Sequence, residues 1–361
     1  MRKLIVANTY SQLIVALQMK NTIFLDDEII LLISNNSIGA NKVQLKIDSM
    51  KIFDESYYIE SKGLCINRNT LQRVKDFVDI SFFNNSSYSF YLDGINNLWF
   101  DEIICYNFMI DMFAIYSKLV RINPNLEISL YEEGLLSYDI SIEDTVGRQL
   151  INVFRKIQGK SIVQEHLKNF YCFYPSLYKG NLNVVKIPKI LEKSKTISEI
   201  KNIFDIKKNN NSYVEKYIFF TSVYDFEGGK PIGEYNLVNK IADIVGKDNI
   251  LIKQHPRDTR NIYKDNGFNV DINSAIPWEA IQLSCDFKDK VFLTVNSSSV
   301  LVASTMASLQ VSTYYLYKLC NYSLNESCKK SVRNIEQLLD NDSMKDILKS
   351  IYIVENETDI L

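Results

Sequence analysis

Histidine is nearly missing from this chain, with two among 361 residues. Six cysteines, at 65, 105, 172, 285, 320 and 328, form no Cys-x-x-Cys pair. A structural zinc site draws its ligands mainly from those two residue types, so no metal centre is expected. The scattered thiols read as buried or free groups of a reducing compartment. Excess positive charge is missing as well: 41 Lys and Arg stand against 43 Asp and Glu, for a formal charge of −2. A nucleic-acid protein usually carries a basic face, so no nucleic-acid partner is expected. No window holds the 18 apolar residues of a membrane span. The early run Leu4-Ile5-Val6-Ala7 is broken at once by Asn8-Thr9-Tyr10-Ser11-Gln12, too soon for a signal-peptide core. The expected location is cytoplasmic, with contact at the inner face of the membrane left open.

The chain is too long for one core of usual size, so two domains are expected. Short apolar, β-branched runs alternate with longer amphipathic stretches, the pattern of parallel strands joined by helices. Leu4–Ala7, Glu28–Ile33 and Leu126–Leu130 read as strands in the first half, and Gln12–Met19 as the first crossover helix. In the second half Tyr217–Thr221, Ile250–Lys253 and Val291–Val295 read as strands. Pro231–Val245, Pro277–Leu283 and Ser299–Met306 read as the helices after strands. The region 50–100, rich in Tyr, Asn and Phe, gives no clear assignment. Lys186-Ile187-Pro188-Lys189 opens a lysine-rich stretch that ends in Lys207-Lys208-Asn209-Asn210-Asn211, read as a linker plus an exposed loop. The boundary falls near 188, giving domains 1–188 and 189–361. The tail from Ile335 reads as helical and able to pack back on the first domain. Two doubly wound domains of this kind place ligands beyond the carboxyl ends of their strands, in a cleft between them.

Five polar motifs fall at those strand ends. Lys253-Gln254-His255-Pro256-Arg257-Asp258 presents a histidine fixed by a following proline, able to give a hydrogen bond or proton to a leaving phosphate. A histidine in a solvated turn is the plain alternative. Tyr131-Glu132-Glu133-Gly134 sets two carboxylates on a turn; such pairing raises one pKa and suits a general base, against a merely solvated acidic turn. Val295-Asn296-Ser297-Ser298-Ser299 offers hydroxyls and free N–H groups at a helix start, either a metal-free phosphate site or ordinary N-capping. Ile276-Pro277-Trp278-Glu279 places a glutamate where it could accept from ribose hydroxyls or only complement a helix dipole. Asp225 and Glu227, in Thr221-Ser222-Val223-Tyr224-Asp225-Phe226-Glu227-Gly228-Gly229, are a second candidate for the base or an acceptor loop, against a plain exposed loop.

The order of these motifs resembles that of bacterial sialyltransferases of the GT-B fold, closest to glycosyltransferase family 52, the lipooligosaccharide and capsule enzymes, with the capsule polysialyltransferases as cousins. The opening Val6-Ala7-Asn8-Thr9-Tyr10-Ser11-Gln12 is similar to that family's start, and the matching motifs span residues 6 to about 300. The resemblance implies an α/β, GT-B architecture of two Rossmann-like domains, the acceptor on the first and the CMP-sugar on the second. It implies inverting transfer of sialic acid from CMP-sialic acid, without metal or other cofactor, to a glycan ending in galactose through an α2,3 linkage. By the same resemblance His255 assists departure of the CMP phosphate, with Pro256 and Arg257 beside it. Asn296, Ser297, Ser298 and Ser299 hold that phosphate, Glu279 binds the ribose, and Asn8 and Gly134 line the acceptor side. The base is Glu132 or Glu133 by one branch of the resemblance and Asp225 or Glu227 by the other. A homodimer is a further implication. The oxocarbenium-like transition state of sialyl transfer asks only for a stabilised leaving phosphate and a deprotonated hydroxyl. A metal-dependent sugar transferase would use an Asp-x-Asp triplet, and none stands at a strand end. Two readings compete: a polysialyltransferase or other CMP-sugar transferase, and a non-catalytic partner in capsule assembly.

Overall fold

Runs such as Leu4–Ala7 and Ile29–Ile33 are apolar at every position, which suits strands covered on both faces rather than on one. In the computed structural model these residues are almost wholly buried. The structure describes residues 1–61, 69–71, 74, 78, 91–108, 110–134, 137–138, 146–206, 213–271 and 276–360. They form two units, Met1–Pro188 and Lys189–Leu361.

The first unit is built on β1 (Arg2–Ala7), β2 (Glu28–Ser34), β3 (Glu55–Ile59), β4 (Glu102–Cys105), β5 (Glu127–Tyr131), β6 (Leu167–Cys172) and β7 (Asn183–Lys186). Their order across the sheet is β3-β2-β1-β4-β5-β6-β7, and every neighbouring pair is parallel. Parallel neighbours require crossovers, here α1 (Tyr10–Thr22), α2 (Ala40–Ser49), α3 (Ile110–Ile122) and α4 (Val146–Ile157) among the described residues. Crossovers are right-handed as a rule, so those that run outward from β1 in opposite directions lie on opposite faces of the sheet. Helix α1 starts where Thr9 caps it, its hydroxyl accepting from the Gln12 N–H.

The second unit repeats the plan. Strands β8 (Tyr217–Phe220), β9 (Ile250–Lys253), β10 (Asn269–Val270), β11 (Val291–Thr294), β12 (Ser312–Tyr315) and β13 (Ile351–Ile353) lie in the order β10-β9-β8-β11-β12-β13, all parallel. Helices α5 (Lys195–Ile203), α6 (Glu234–Val245), α7 (Trp278–Ser284), α8 (Val302–Met306) and α9 (Glu326–Leu339) accompany it. Trp278 packs among Tyr213, Phe220, Phe287 and Phe292, so the aromatic residue of the Pro-Trp-Glu motif belongs to the core. In each sheet the strand order reverses once, between β1 and β4 and between β8 and β11. Such a reversal opens a crevice at the carboxyl ends of the strands.

Several expectations are corrected. The tail is α-helical only to Leu339; beyond it lie two 3-10 turns, Asp342–Met344 and Glu357–Ile360, and between them Ile351–Ile353 extends the second sheet beside β12. Within the lysine-rich stretch read as linker, α5 buries Ile197, Ile200 and Ile203 while its lysines face outward. Helix α6 starts at Glu234, not at Pro231. The serine motif opens a 3-10 turn, Ser298–Leu301, before α8 begins. The loop 207–211 lies outside the described residues, as does most of the stretch 62–90. No described helix is long and apolar enough to cross a membrane.

Candidate active site

In the first unit the site residues gather at the carboxyl ends of β1 and β5. Asn8 follows β1, and its N–H donates to Gln12 Oε1 at 2.7 Å. The Thr9 hydroxyl donates to Glu133 Oε1 at 2.7 Å, and the Ser11 hydroxyl to the Glu133 carbonyl at 3.3 Å. The Ser137 hydroxyl accepts from the N–H groups of Glu133 and Gly134, at 3.0 and 3.1 Å. The start of α1 and the β5 loop are thereby one assembly. Gly134 is not in the left-handed region, and a Cβ there would meet nothing within 4 Å, so its contribution is open space.

The two glutamates of this motif have different environments. Glu132 is 1 % exposed. It accepts from the Phe173 N–H at 2.8 Å and from the Tyr138 hydroxyl, and so clamps the end of β6. Burial, and then the Glu132 charge, push the Cys172 thiol up to about 12. Glu133 is half-buried, and its charge, after burial, helps raise the Tyr106 hydroxyl. Glu132 is thus a clamp, and Glu133 the half-buried carboxylate tied to the start of α1.

In the second unit three loops leave the adjacent strands β9, β8 and β11. The His255 N–H donates to Thr221 Oγ1 at 2.9 Å, joining the β9 loop to the β8 loop. Asn296 Nδ2 donates to the Tyr224 hydroxyl at 3.2 Å, joining the β11 loop to the same one. Thr294 bridges further: its hydroxyl donates to the Phe220 carbonyl at 3.1 Å and accepts from the Ser297 N–H at 3.0 Å. The hydroxyls of Ser297 and Ser299 are paired at 2.7 Å, Ser298 is exposed, and Tyr315 donates to the Ser297 carbonyl at 3.1 Å.

His255 is half-buried, and its Nδ1 accepts from the Arg257 N–H at 3.1 Å. In the neutral ring the proton therefore sits on Nε2. Burial, and then the Arg257 guanidinium, hold its pKa below the ordinary 6.5. At neutral pH the ring is an uncharged Nε2–H donor. Pro256 and Arg257 are exposed, and Arg257 pairs with Glu227 at 2.5 Å. Arg260 stacks on Phe226 at 4.1 Å while holding Asp258 with two hydrogen bonds, 2.8 and 2.9 Å.

Asp225 does not stand as a free base. Its Oδ1 accepts from the N–H groups of Ile232 and Gly233 at 2.8 and 2.9 Å, and Oδ2 from Tyr235 at 3.3 Å, so it caps the start of α6. Glu227 is committed to Arg257. Glu279 occupies the first turn of α7, half-buried. The same helix reaches the serine loop through Gln282, whose Nε2 donates to the Ser299 carbonyl at 3.0 Å and whose Oε1 accepts from the Ala303 N–H at 3.0 Å.

Sequence reasoning missed Thr9, Ser137, Arg260, Gln282 and Glu234. Glu234, 1 % exposed, accepts the Ser222 N–H on both oxygens at 2.9 Å. Burial raises its carboxyl to about 8, against the Ser222 N–H and with help from the charges of Asp225 and Asp258. A glutamate in a first turn is ordinary in sequence, so only its burial distinguishes it. Among the described residues no group of three or more His, Cys, Asp or Glu could hold a metal ion.

The family model for alpha-2,8-polysialyltransferases matches residues 3–316. The chain belongs to this family. The match runs from β1 through β12 and takes in both clusters of loops. It is the family that the motif order placed as a cousin of family 52. No curated protein matches the chain. Among solved structures, a UDP-N-acetylglucosamine 2-epimerase from Listeria monocytogenes matches at 12 % identity and TM-score 0.50, over 97 % of this chain and 91 % of that one. S. aureus MnaA in complex with UDP matches at 14 % identity, TM-score 0.49, over 97 % and 90 %. CalG4, the calicheamicin glycosyltransferase, matches at 9 % identity, TM-score 0.47, over 99 % and 96 %. At 12 % identity the likeness to the Listeria enzyme is one of fold, and it agrees with the two Rossmann-like parallel-sheet domains of the GT-B class seen here.

Proposed function

We propose that this member of the polysialyltransferase family transfers sialic acid from CMP-sialic acid to the 8-hydroxyl of a sialylated glycan, with inversion and without metal. The observation that supports it most is the family match from residue 3 to 316, which spans every loop described above. The second unit binds the donor. The His255 Nε2–H, with Nδ1 already engaged, donates to the departing phosphate. The hydroxyls of Ser297 and Ser299 and nearby N–H groups take up its growing charge. Glu279, at the start of α7, accepts from the ribose. In the first unit Glu133 removes the proton of the attacking hydroxyl, oriented by Thr9. Because His255 is neutral, its contribution is a hydrogen bond in the transition state, and protonation is not needed to start the reaction. The family match favours a sialylated acceptor over the terminal galactose and α2,3 linkage that family 52 implied. CMP-sialic acid as donor and a homodimer are parts of this proposal.

CMP release from CMP-sialic acid tests it, in EDTA, with an α2,8-disialylated oligosaccharide or a galactoside as acceptor. Release stimulated by the sialylated acceptor, and reduced about 100-fold or more in His255→Ala, is expected. Stimulation by the galactoside alone would transfer the reading to family 52 chemistry. No release with either acceptor, and no CMP binding, would overturn it.

A further inference from the structure

The carboxyl end of the first sheet holds a row of buried polar atoms that the fold does not use. Ala7 lies opposite Ile33 of β2, and Ile5 opposite Ile104 of β4. Counted forward in the same register, Asn8 falls between Ser34 on one side and Asn107 on the other. Cys105 lies opposite Leu130, so the row continues from Asn107 to Glu132. Ser34 is 1 % and Asn8 8 % exposed. Ser34 Oγ, Asn8 Oδ1 and Asn107 Oδ1 are all buried, and none has a hydrogen-bond partner among the described residues. A buried polar oxygen without a partner is costly, so two amide oxygens and a hydroxyl side by side call for a ligand that pairs with them. They sit where β1 and β4 part, the point at which open parallel sheets bind ligands.

The row offers two amide oxygens as acceptors and a serine hydroxyl that can both accept and donate, and the charge acting on the adjacent Tyr106, after burial, is that of Glu133. A carboxylate or phosphate would be repelled there. Hydroxyl or amide hydrogens would be held. We infer that Ser34, Asn8 and Asn107 form an acceptor subsite for a neutral hydroxyl-rich face, the three-carbon hydroxylated side chain of the terminal sialic acid. This deepens the proposed function and rests on it. The 7- and 9-hydroxyls donate to the asparagine oxygens, which leaves the 8-hydroxyl toward Glu133. Selectivity follows, because an acceptor lacking one of these hydroxyls leaves a buried oxygen unpaired.

The test compares kcat/KM for a disialylated acceptor and its 9-deoxy analogue. The native chain should prefer the intact acceptor about ten-fold. Asn107→Ala should raise the acceptor KM by a similar factor, leave the donor KM unchanged and lose most of the preference. Asn107→Asp, which keeps shape and an acceptor oxygen, should retain the preference, and Ser34→Ala should weaken it. Asn107→Ala and Ser34→Ala both discriminating like the native chain, with unaltered acceptor KM, would overturn the subsite while leaving the transferase reading intact. If the native chain released no CMP with any acceptor, the function would fail first. Saturation-transfer NMR of the sialylated oligosaccharide would then read the row directly: binding lost in Asn107→Ala supports it, and no binding to the native chain overturns it.

Discussion

Replacing Glu234 by glutamine should alter how stability depends on pH, and the structure gives both sign and size. The carboxyl is buried beneath the β8 loop with both oxygens on the Ser222 N–H, and its pKa is raised from the ordinary 4.5 to about 8. A raised carboxyl binds its proton more tightly in the folded chain than in the unfolded one. Its stabilising contribution is full below 4.5 and is lost as pH rises through 8. Over the whole window the loss is on the order of 5 kcal/mol. His255 has the opposite sense: held below 6.5, it removes stability only as pH falls beneath that value. The interval from pH 6.5 to 8 therefore isolates Glu234, and about 2 kcal/mol of its loss falls there. The chain has two tryptophans, Trp99 in the first unit and the buried Trp278 in the second. In a Trp99→Phe background, fluorescence-monitored urea unfolding reports the second unit. The native residue should show falling stability across the interval, and Glu234→Gln should be flat and more stable at pH 8. Parallel slopes, or a Gln variant less stable at pH 8, would refute the raised carboxyl.

Other substitutions separate the carboxylates and the donor loop. Asp225→Ala removes the acceptor of three N–H groups at the start of α6 and should cost about 1–2 kcal/mol in thermal unfolding while lowering kcat less than ten-fold. Glu133→Gln should do the reverse, lowering kcat about 100-fold with little change in unfolding temperature. Ser297→Ala should raise the KM for CMP-sialic acid about five-fold, the worth of one lost hydrogen bond, and leave the acceptor KM unchanged. Because His255 is neutral and held below 6.5, the pH profile of kcat should show no decline at the ordinary histidine pKa, and His255→Asn, which retains an N–H donor, should exceed His255→Ala.

Strands β1, β2, β5, β8, β9 and β11 were legible because nearly every residue in them is apolar or β-branched. Others were not, for a physical reason. Strand β6 carries Lys168 and Asn169 inside its run, and the buried Asn169 accepts from Asn183 Nδ2 and donates to Ser129 Oγ, partners that only the assembled sheet supplies. Helix α5 kept its isoleucines at helical spacing, but the interleaved lysines read as linker. In the site, the strand-end placement of His255, Glu133 and the serines could be read from sequence. The division of labour among the acids could not: Asp225 becomes a cap only because α6 begins at Glu234, and Glu132 a clamp only because Phe173 arrives from another strand. Unpaired oxygens such as that of Asn107 leave no trace in composition.

The reversal of strand order also governs how the chain is born. Lys3 of β1 finds its register partner Glu102 only 99 positions later. At roughly 5–20 residues per second of synthesis, β1 waits on the order of 5–20 s for β4. Throughout that wait β1, β2 and β3 can form a three-stranded ribbon with one apolar edge unpaired. The second unit repeats the interval on a smaller scale between Phe220 and Thr294, 74 positions apart. The strand pairs that frame the crevices thus wait longest for each other in each unit, and a nascent chain halted before Cys105 would present its most aggregation-prone surface to the cell.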